Sequence, residues 1–197
     1  MKILTVADTE CGELLDPVKG GPPLAGIDLI LGCGDLAPEY LTTLRNRFEV
    51  PLYYVLGNHD LRHHHSPPQY CTPIHRRIVN FNNLGIIGFS GSRWYNGSAN
   101  QYTEKQMAGY IGKMRFGIWK NRGIDIVIAH APPRFINDAE DPCHRGFRSY
   151  RRLIDKYRPS YFLHGHIHTL FDDDNQRITT INNTSVINCY GFYVLEI

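Results

Sequence analysis

Ten histidines stand in the 197 residues, and seven fall into two short clusters: His59, His63, His64 and His65, then His164, His166 and His168. An isolated histidine is more often a hydrogen-bonded structural residue than a ligand. Recurrence argues otherwise here. Five apolar runs each end on oxygen or imidazole groups: Asp8 with Glu10; Asp35; Asn58 with His59; His130; and His164, His166 and His168. Neighbouring strands would bring such ends together along one rim. Carboxylate, amide and imidazole donors together suit Mn²⁺, Fe or Zn²⁺. Cysteine is absent from the set, which argues against a structural zinc site. In HGHIH, His166 and His168 are i and i+2, and Gly165 permits a tight turn beside them. On extended backbone these two would face one cavity and reach two different metals. Asp8 and Glu10 repeat that relation. In GNHD, Asn58 offers a neutral carbonyl while the adjacent imidazole of His59 points elsewhere.

The elements that must position these groups read as alternating strand and helix. Apolar runs at 2–7, 28–32 and 52–56 are continuous, as expected of buried strands. Each stops at glycine or a polar cluster, the place where α/β folds carry their sites. A helix is expected over 38–48, with Pro38 at its first position and Leu41, Leu44 and Phe48 on one face. Residues 61–76 read as a loop, because Pro67-Pro68 continues neither helix nor strand. Strands are expected over 84–90, 124–129 and 161–163, and a basic helix over 148–157, stopped by Pro159. Thr103 and Gln106 form a capping box ahead of Met107, Tyr110, Ile111, Met114 and Ile118, which recur at helical spacing. From Thr169 onward, short β-rich pieces and Asn turns suggest antiparallel strands.

Composition narrows the class. A chain of 197 residues with 20% charged and 42% hydrophobic residues is expected to be one domain, 1–197, neither disordered nor a coiled coil. No apolar run approaches the ~18 residues of a membrane span. Five scattered cysteines without a CxxC favour a reducing compartment, hence a cytoplasmic location. Net charge is −5 over residues 1–60, +8 over 61–122 and −1 over 123–197. The basic middle could attract an anionic substrate, although a solvated face explains charge alone equally well.

The order D-x-x, GD, GNHD, AH and GHxH, from Asp8 to His168, resembles the calcineurin-like metallophosphoesterase superfamily. Singly these motifs are weak; five in order, each ending an expected strand, are specific. The stretch His130-Ala131-Pro132-Pro133 resembles the small single-domain members without a cap domain. The resemblance implies an α/β fold, a four-layer α-β-β-α sandwich of two mixed β-sheets flanked by helices. It implies two divalent metal ions, Mn²⁺ preferred over Fe, Zn²⁺ or Mg²⁺. Asp8, Asp35 and His168 would hold the first, and Asp35, Asn58, His130 and His166 the second. It further implies hydrolysis of a phosphate ester, a phosphodiester or small phosphorylated molecule, by a hydroxide activated between the metals. His59 would protonate the leaving group.

The sequence leaves the family pattern in three places. Glu10 replaces the usual histidine of D-x-H and is a candidate ligand of the first metal. Pro38 stands where larger members carry an aspartate paired with the catalytic histidine, so Asp60 or Glu39 is the candidate orienter of His59. The segment holding Gly20-Gly21-Pro22-Pro23 is expected to form only a short or irregular helix. Arg62, Arg93 and Arg134 are candidate phosphate binders beside motif ends, with surface ion pairing an equal account of each. His63–His65 could line the entrance, His144 could form a gate, and Trp94 and Tyr95 could stack on a ring. His164 reads as a neighbour of the ligands. The competing functions are a protein-binding scaffold, which has no need for His59 and the full set of second-metal ligands present here, and a nuclease, which the basic 61–122 segment allows but for which no duplex-binding extension is evident. The expected partner is a small phosphate ester; nucleic acid is not favoured.

Overall fold

The computed structural model describes residues 1–16 and 24–197. The Gly-Pro segment at 20–23 lies outside them. Strands β1 (Lys2–Ala7), β2 (Ile27–Gly32) and β3 (Leu52–Tyr54) run parallel, with helix α1 (Pro38–Phe48) between the last two. β4 (Thr72–Pro73) extends this sheet on one side. A second sheet holds β5 (Ile78–Phe81), β6 (Leu84–Phe89), β9 (Ile126–Ala129) and β10 (Tyr161–His164). β7 (Ser92–Arg93) and β8 (Gln101–Tyr102) form a small ribbon before helices α2 (Glu104–Lys113) and α3 (Arg115–Lys120). Helix α4 (Arg148–Tyr157) precedes β10. The closing strands are β11 (Ile178–Ile181), β12 (Thr184–Asn188) and β13 (Gly191–Glu196).

Strand order is β13-β1-β2-β3-β4 in one sheet and β11-β12-β10-β9-β6-β5 in the other. The continuous apolar runs have a simple cause: both faces of each central strand are covered. In β9, Ile126 and Ile128 point between the sheets while Val127 and Ala129 point at the outer helices. In β2, Leu29 and Leu31 pack between the sheets and Ile30 packs toward α1 with Leu41 and Leu44. On the far side α2 and α4 pack Met107, Ile111, Tyr150, Leu153 and Ile154 against Phe89 and Phe162. This is the expected four-layer sandwich of two mixed sheets flanked by helices.

The capping box of α2 forms as expected: the Gln106 N–H donates to Thr103 Oγ1, and the Thr103 N–H donates to Gln106 Oε1. The helical repeat through Ile118 breaks at Met114, giving α2 and α3 instead of one helix. The tail is antiparallel where β11 meets β12 and where β13 meets β1, but β12 runs parallel to β10. The strand expected over 84–90 forms as β6, and it pairs with β5, unexpected from the sequence, through a turn on Asn82 and Asn83, both left-handed. The expected loop over 61–76 contains a short 3₁₀ turn at Arg62–His64 and the edge strand β4.

Candidate metal centre

The carboxyl ends of β1, β2, β3, β9 and β10 meet where the two sheets come together. The Asp8 N–H donates to the Gly34 carbonyl at 3.0 Å, which joins the ends of β1 and β2. Across the sheets, His130 Nδ1 meets the Cys33 carbonyl at 2.9 Å. The Gly165 N–H donates to the His130 carbonyl at 3.0 Å. The His166 N–H donates to both Asp8 carboxylate oxygens, at 3.0 and 2.9 Å. Each link crosses between strand ends, so backbone groups and the candidate ligands Asp8 and His130 together assemble the cluster.

Three of these residues hold left-handed backbone: Asp8 at φ 65°, Asp35 at 55° and His166 at 70°. Such conformations cost of order 1–3 kcal/mol for non-glycine residues and concentrate at functional sites. Glycines give the group its room. A Cβ on Gly57 would stand 2.0 Å from Asp35 Oδ1, and one on Gly165 would stand 2.5 Å from Asp8 Oδ2. Gly34, at φ 97°, needs both the conformation and the space.

Asp35, His130 and His166 bring ligand atoms within 4.8 Å of one another. His130 Nε2 lies 3.0 Å from Asn58 Oδ1 and 3.3 Å from Asp35 Oδ2. Asp8 Oδ1 lies 3.9 Å from His130 Nδ1 and 3.6 Å from His168 Nε2. Asp8, Asn58, His130 and His166 have buried side chains, whereas the His168 ring is exposed and stacks on Tyr190. Glu10 is exposed and outside the group of ligand atoms within 4.8 Å.

Burial and neighbouring charge shift the titrating groups of this cluster in opposite directions. Burial opposes a charged imidazole at His130, yet the Asp35 and Asp8 carboxylates and the Cys33 carbonyl outweigh it and hold its pKa up at about 9. Burial likewise opposes ionisation of Asp35, but His130 and the His59 N–H hold it down at about 2. His166 is pushed down to about 3 by burial and by the neighbouring His130 charge. The Asp8 carboxylate raises His168. A proton on His130 Nε2 faces both the Asn58 amide oxygen and the Asp35 carboxylate. Buried carboxylate, amide and imidazole donors gathered in this way suit divalent cations, which would take the place of that proton.

Asn58 Nδ2 donates to Tyr95 Oη at 3.3 Å, which turns the amide oxygen toward His130. His166 Nε2 faces the Cys143 carbonyl at 2.7 Å, leaving Nδ1 as the nitrogen free to ligate. Neither partner was legible in the sequence, because both arrive from loops distant along the chain. His144 packs its ring 5.2 Å from that of His166. His164 is buried, with Nδ1 at the Gly165 carbonyl, and sits behind the group.

His59 is exposed beside Asp35, Pro38 and Arg62, and its N–H donates to Asp35 Oδ1 at 2.8 Å. The carboxylates considered as its orienters are engaged elsewhere. Asp60 accepts from the Gly57 N–H at 2.7 Å and the Asp35 N–H at 2.8 Å, and faces His63 at 3.5 Å. It therefore ties the loops after β2 and β3 together. Glu39 pairs with Arg62. Arg134 is buried against Asp138 and Glu140, where it braces a loop. Arg93 lies half-buried on β7. His63 is buried on the Leu36 carbonyl, while His64 and His65 are exposed.

The model of the calcineurin-like phosphoesterases matches residues 1–170. Among solved structures, TT1561 of Thermus thermophilus superposes with a TM-score of 0.66 at 14% identity, over 96% of this chain and 89% of that one. GAP50, the anchor in the inner membrane complex of Plasmodium, gives 0.56 at 13% identity, over 96% and 71%. The calcineurin-like phosphoesterase YfkN of Bacillus subtilis gives 0.53 at 16%, over 98% and 83%. At these identities the likeness is one of fold. No curated protein matches the chain. The match to the family's model spans every strand end described above, and on it the chain belongs to the calcineurin-like phosphoesterases.

Proposed function

We propose that the protein is a metal-dependent hydrolase of phosphate esters, acting on a phosphodiester or a small phosphorylated molecule. The observation that carries this reading is the convergence of Asp35, His130 and His166 at strand ends from both sheets. Asp8, Asp35 and His168 would hold one divalent cation, and Asp35, Asn58, His130 and His166 a second, with Mn²⁺ the preferred ion. Paired cations bound there would supply a nucleophile at neutral pH and charge stabilisation of both the attacking and leaving oxygens. The chain's own residues do the rest. The Tyr95 hydroxyl fixes the Asn58 amide, and the Cys143 carbonyl fixes the His166 tautomer. Asp60 locks the loops that present Asp35 and Asn58. The exposed His59 imidazole donates a proton to the departing oxygen. Arg62 would first have to leave Glu39 to bind substrate, and Arg134 is committed to its loop, so Arg93 is the better candidate for a phosphate oxygen.

The presence of His59 and of all four donors of the second metal, Asp35, Asn58, His130 and His166, favours catalysis over the scaffold role that an anchor such as GAP50 represents. All five cysteines are free, which supports a reducing compartment. No helix among the described residues is long and apolar enough to cross a membrane.

The test combines metal analysis of natively purified protein with hydrolysis of an aryl phosphodiester, with and without Mn²⁺. Activity that survives exhaustive chelation refutes the reading. Asn58→Ala, His130→Ala and His166→Ala should each lower metal occupancy; full occupancy in all three removes the ligand assignment. His59→Asn should keep the metals and lose ~10²–10⁴-fold in turnover, with a smaller loss for acidic leaving groups. Equal losses for good and poor leaving groups would remove the proton-donor role.

A further inference from the structure

The loop between the end of β9 and the start of α4 carries a second cluster of donors, apart from the strand-end centre. Its base is closed. The Arg134 N–H donates to the Phe147 carbonyl at 3.0 Å, and the Phe147 N–H donates to the Pro132 carbonyl at 3.1 Å. Asp138 and Glu140 are engaged by the Arg134 guanidinium at 2.6 and 2.8 Å, and Arg145 also turns to Glu140. Asp141 is left facing its own turn. Its Oδ1 lies 2.8 Å from Cys143 Sγ and 3.0 Å from His144 Nδ1, and Sγ lies 3.5 Å from that nitrogen. An ordinary aspartate turn explains the His144 N–H donating to Asp141 at 3.1 Å. It does not explain a thiol and an imidazole meeting on the same oxygen.

We propose that Asp141, Cys143 and His144 form a further metal site, for a single thiophilic divalent cation such as Zn²⁺. Their ligand atoms lie within 4.8 Å of one another. Around a tetrahedral Zn²⁺ at ordinary Zn–S, Zn–N and Zn–O lengths, donor atoms stand roughly 3.3–3.7 Å apart. The imidazole stands close to this spacing already, at 3.0 Å from the Asp141 oxygen and 3.5 Å from Sγ, and the 2.8 Å Sγ–Oδ1 pair must open by about 0.7 Å, which rotation of the exposed Asp141 side chain supplies. The Asp141 and His144 side chains are 45% and 40% exposed, so an ion can enter and water can complete the shell. On binding, the Cys143 thiol proton passes to solvent and the thiolate becomes the ligand. Sulfur separates this site from the strand-end centre, whose oxygen and nitrogen donors suit harder ions. The two touch through the Cys143 carbonyl at His166 Nε2 and the packed rings of His144 and His166.

The site stands or falls independently of phosphoesterase activity. The full chain, preloaded with Mn²⁺, is titrated with Co²⁺ and read by thiolate-to-cobalt charge-transfer absorption, a signal the strand-end centre cannot produce. One equivalent should develop the band, and Zn²⁺ should bleach it. Cys143→Ser should abolish the band, and His144→Ala and Asp141→Asn should each weaken Co²⁺ at least tenfold. Zn²⁺ should also slow alkylation of Cys143, mapped by peptide mass spectrometry, in wild type and not in His144→Ala. The proposal is overturned by no band in wild type, by a band that survives Cys143→Ser, or by alkylation indifferent to Zn²⁺. Should Cys143→Ser fail to fold, the His144 and Asp141 variants keep the thiol and decide the matter alone.

Discussion

Gly57→Ala adds one methyl group at the point where the loop after β3 passes the Asp35 carboxylate. Gly57 is buried and its backbone is not left-handed, so the residue is glycine for space alone. Ordinary contact begins at 3.4 Å, and the new Cβ would stand 2.0 Å from Asp35 Oδ1, so the oxygen must retreat by about 1.4 Å. It cannot do so freely. Oδ1 already accepts the His59 N–H at 2.8 Å, Oδ2 faces His130 at 3.3 Å, and the Cβ would also stand 2.6 Å from the Asp35 nitrogen. Overpacking of this kind costs ~1–3 kcal/mol. A misplacement near 1 Å in a reacting group costs ~10²-fold in rate. Gly57→Ala should therefore fold with a lowered melting temperature, lose metal, and turn over an aryl phosphodiester ~10²-fold more slowly. Gly109→Ala is the control with the same chemical change. Gly109 lies exposed in α2 with nothing within 4 Å, and the substitution should stabilise by ~0.5–1 kcal/mol and leave turnover unchanged. Metal content, melting temperature and turnover are measured on both. Wild-type metal content and turnover in Gly57→Ala would refute the claim that this glycine holds space for Asp35.

Tyr95→Phe frees the Asn58 amide without opening a cavity. Metal affinity should fall by ~10-fold, the low end for an outer partner and consistent with a 3.3 Å bond, as read by competitive chelator titration. Glu10→Ala should leave metal content and metal preference unchanged, since the side chain is exposed and outside the ligand group; loss of a metal would return Glu10 to the centre. His75 is held down to about 4 by burial and the Arg76 charge, and its Nδ1 accepts the Ser90 N–H at 2.8 Å. The unfolded chain then binds a proton that the fold refuses, so stability should fall as pH drops from about 6.5 toward 4, by at most roughly 3 kcal/mol. Denaturant unfolding at both ends of that window should show a shallower decline in His75→Gln; an identical decline would clear His75 of the effect.

The local elements were legible in the sequence because their signals are local. Pro38 and the face of Leu41 and Leu44 define α1, the Thr103–Gln106 pair starts α2, and Pro159 follows α4. Strands covered on both faces announce themselves as unbroken apolar runs, and the donors of the candidate centre stand at their ends. β5 escaped notice because it is short and half-exposed, with no alternation to betray it. What only the tertiary structure decided is pairing across distance. Lys2 meets Glu196 in the register of β1 and β13, and β12 and β13, though consecutive, join different sheets. Asp60 follows His59 in the chain, yet its carboxylate accepts the N–H groups of Gly57 and Asp35, because the turn between them aims successive side chains in different directions. Tyr95 and Cys143 reach Asn58 and His166 from 37 and 23 residues away. Spacing along a chain dictates periodic structure, which repeats over a few residues. The contacts that orient a ligand are made once, between loops, and only the packed sheets bring those loops together.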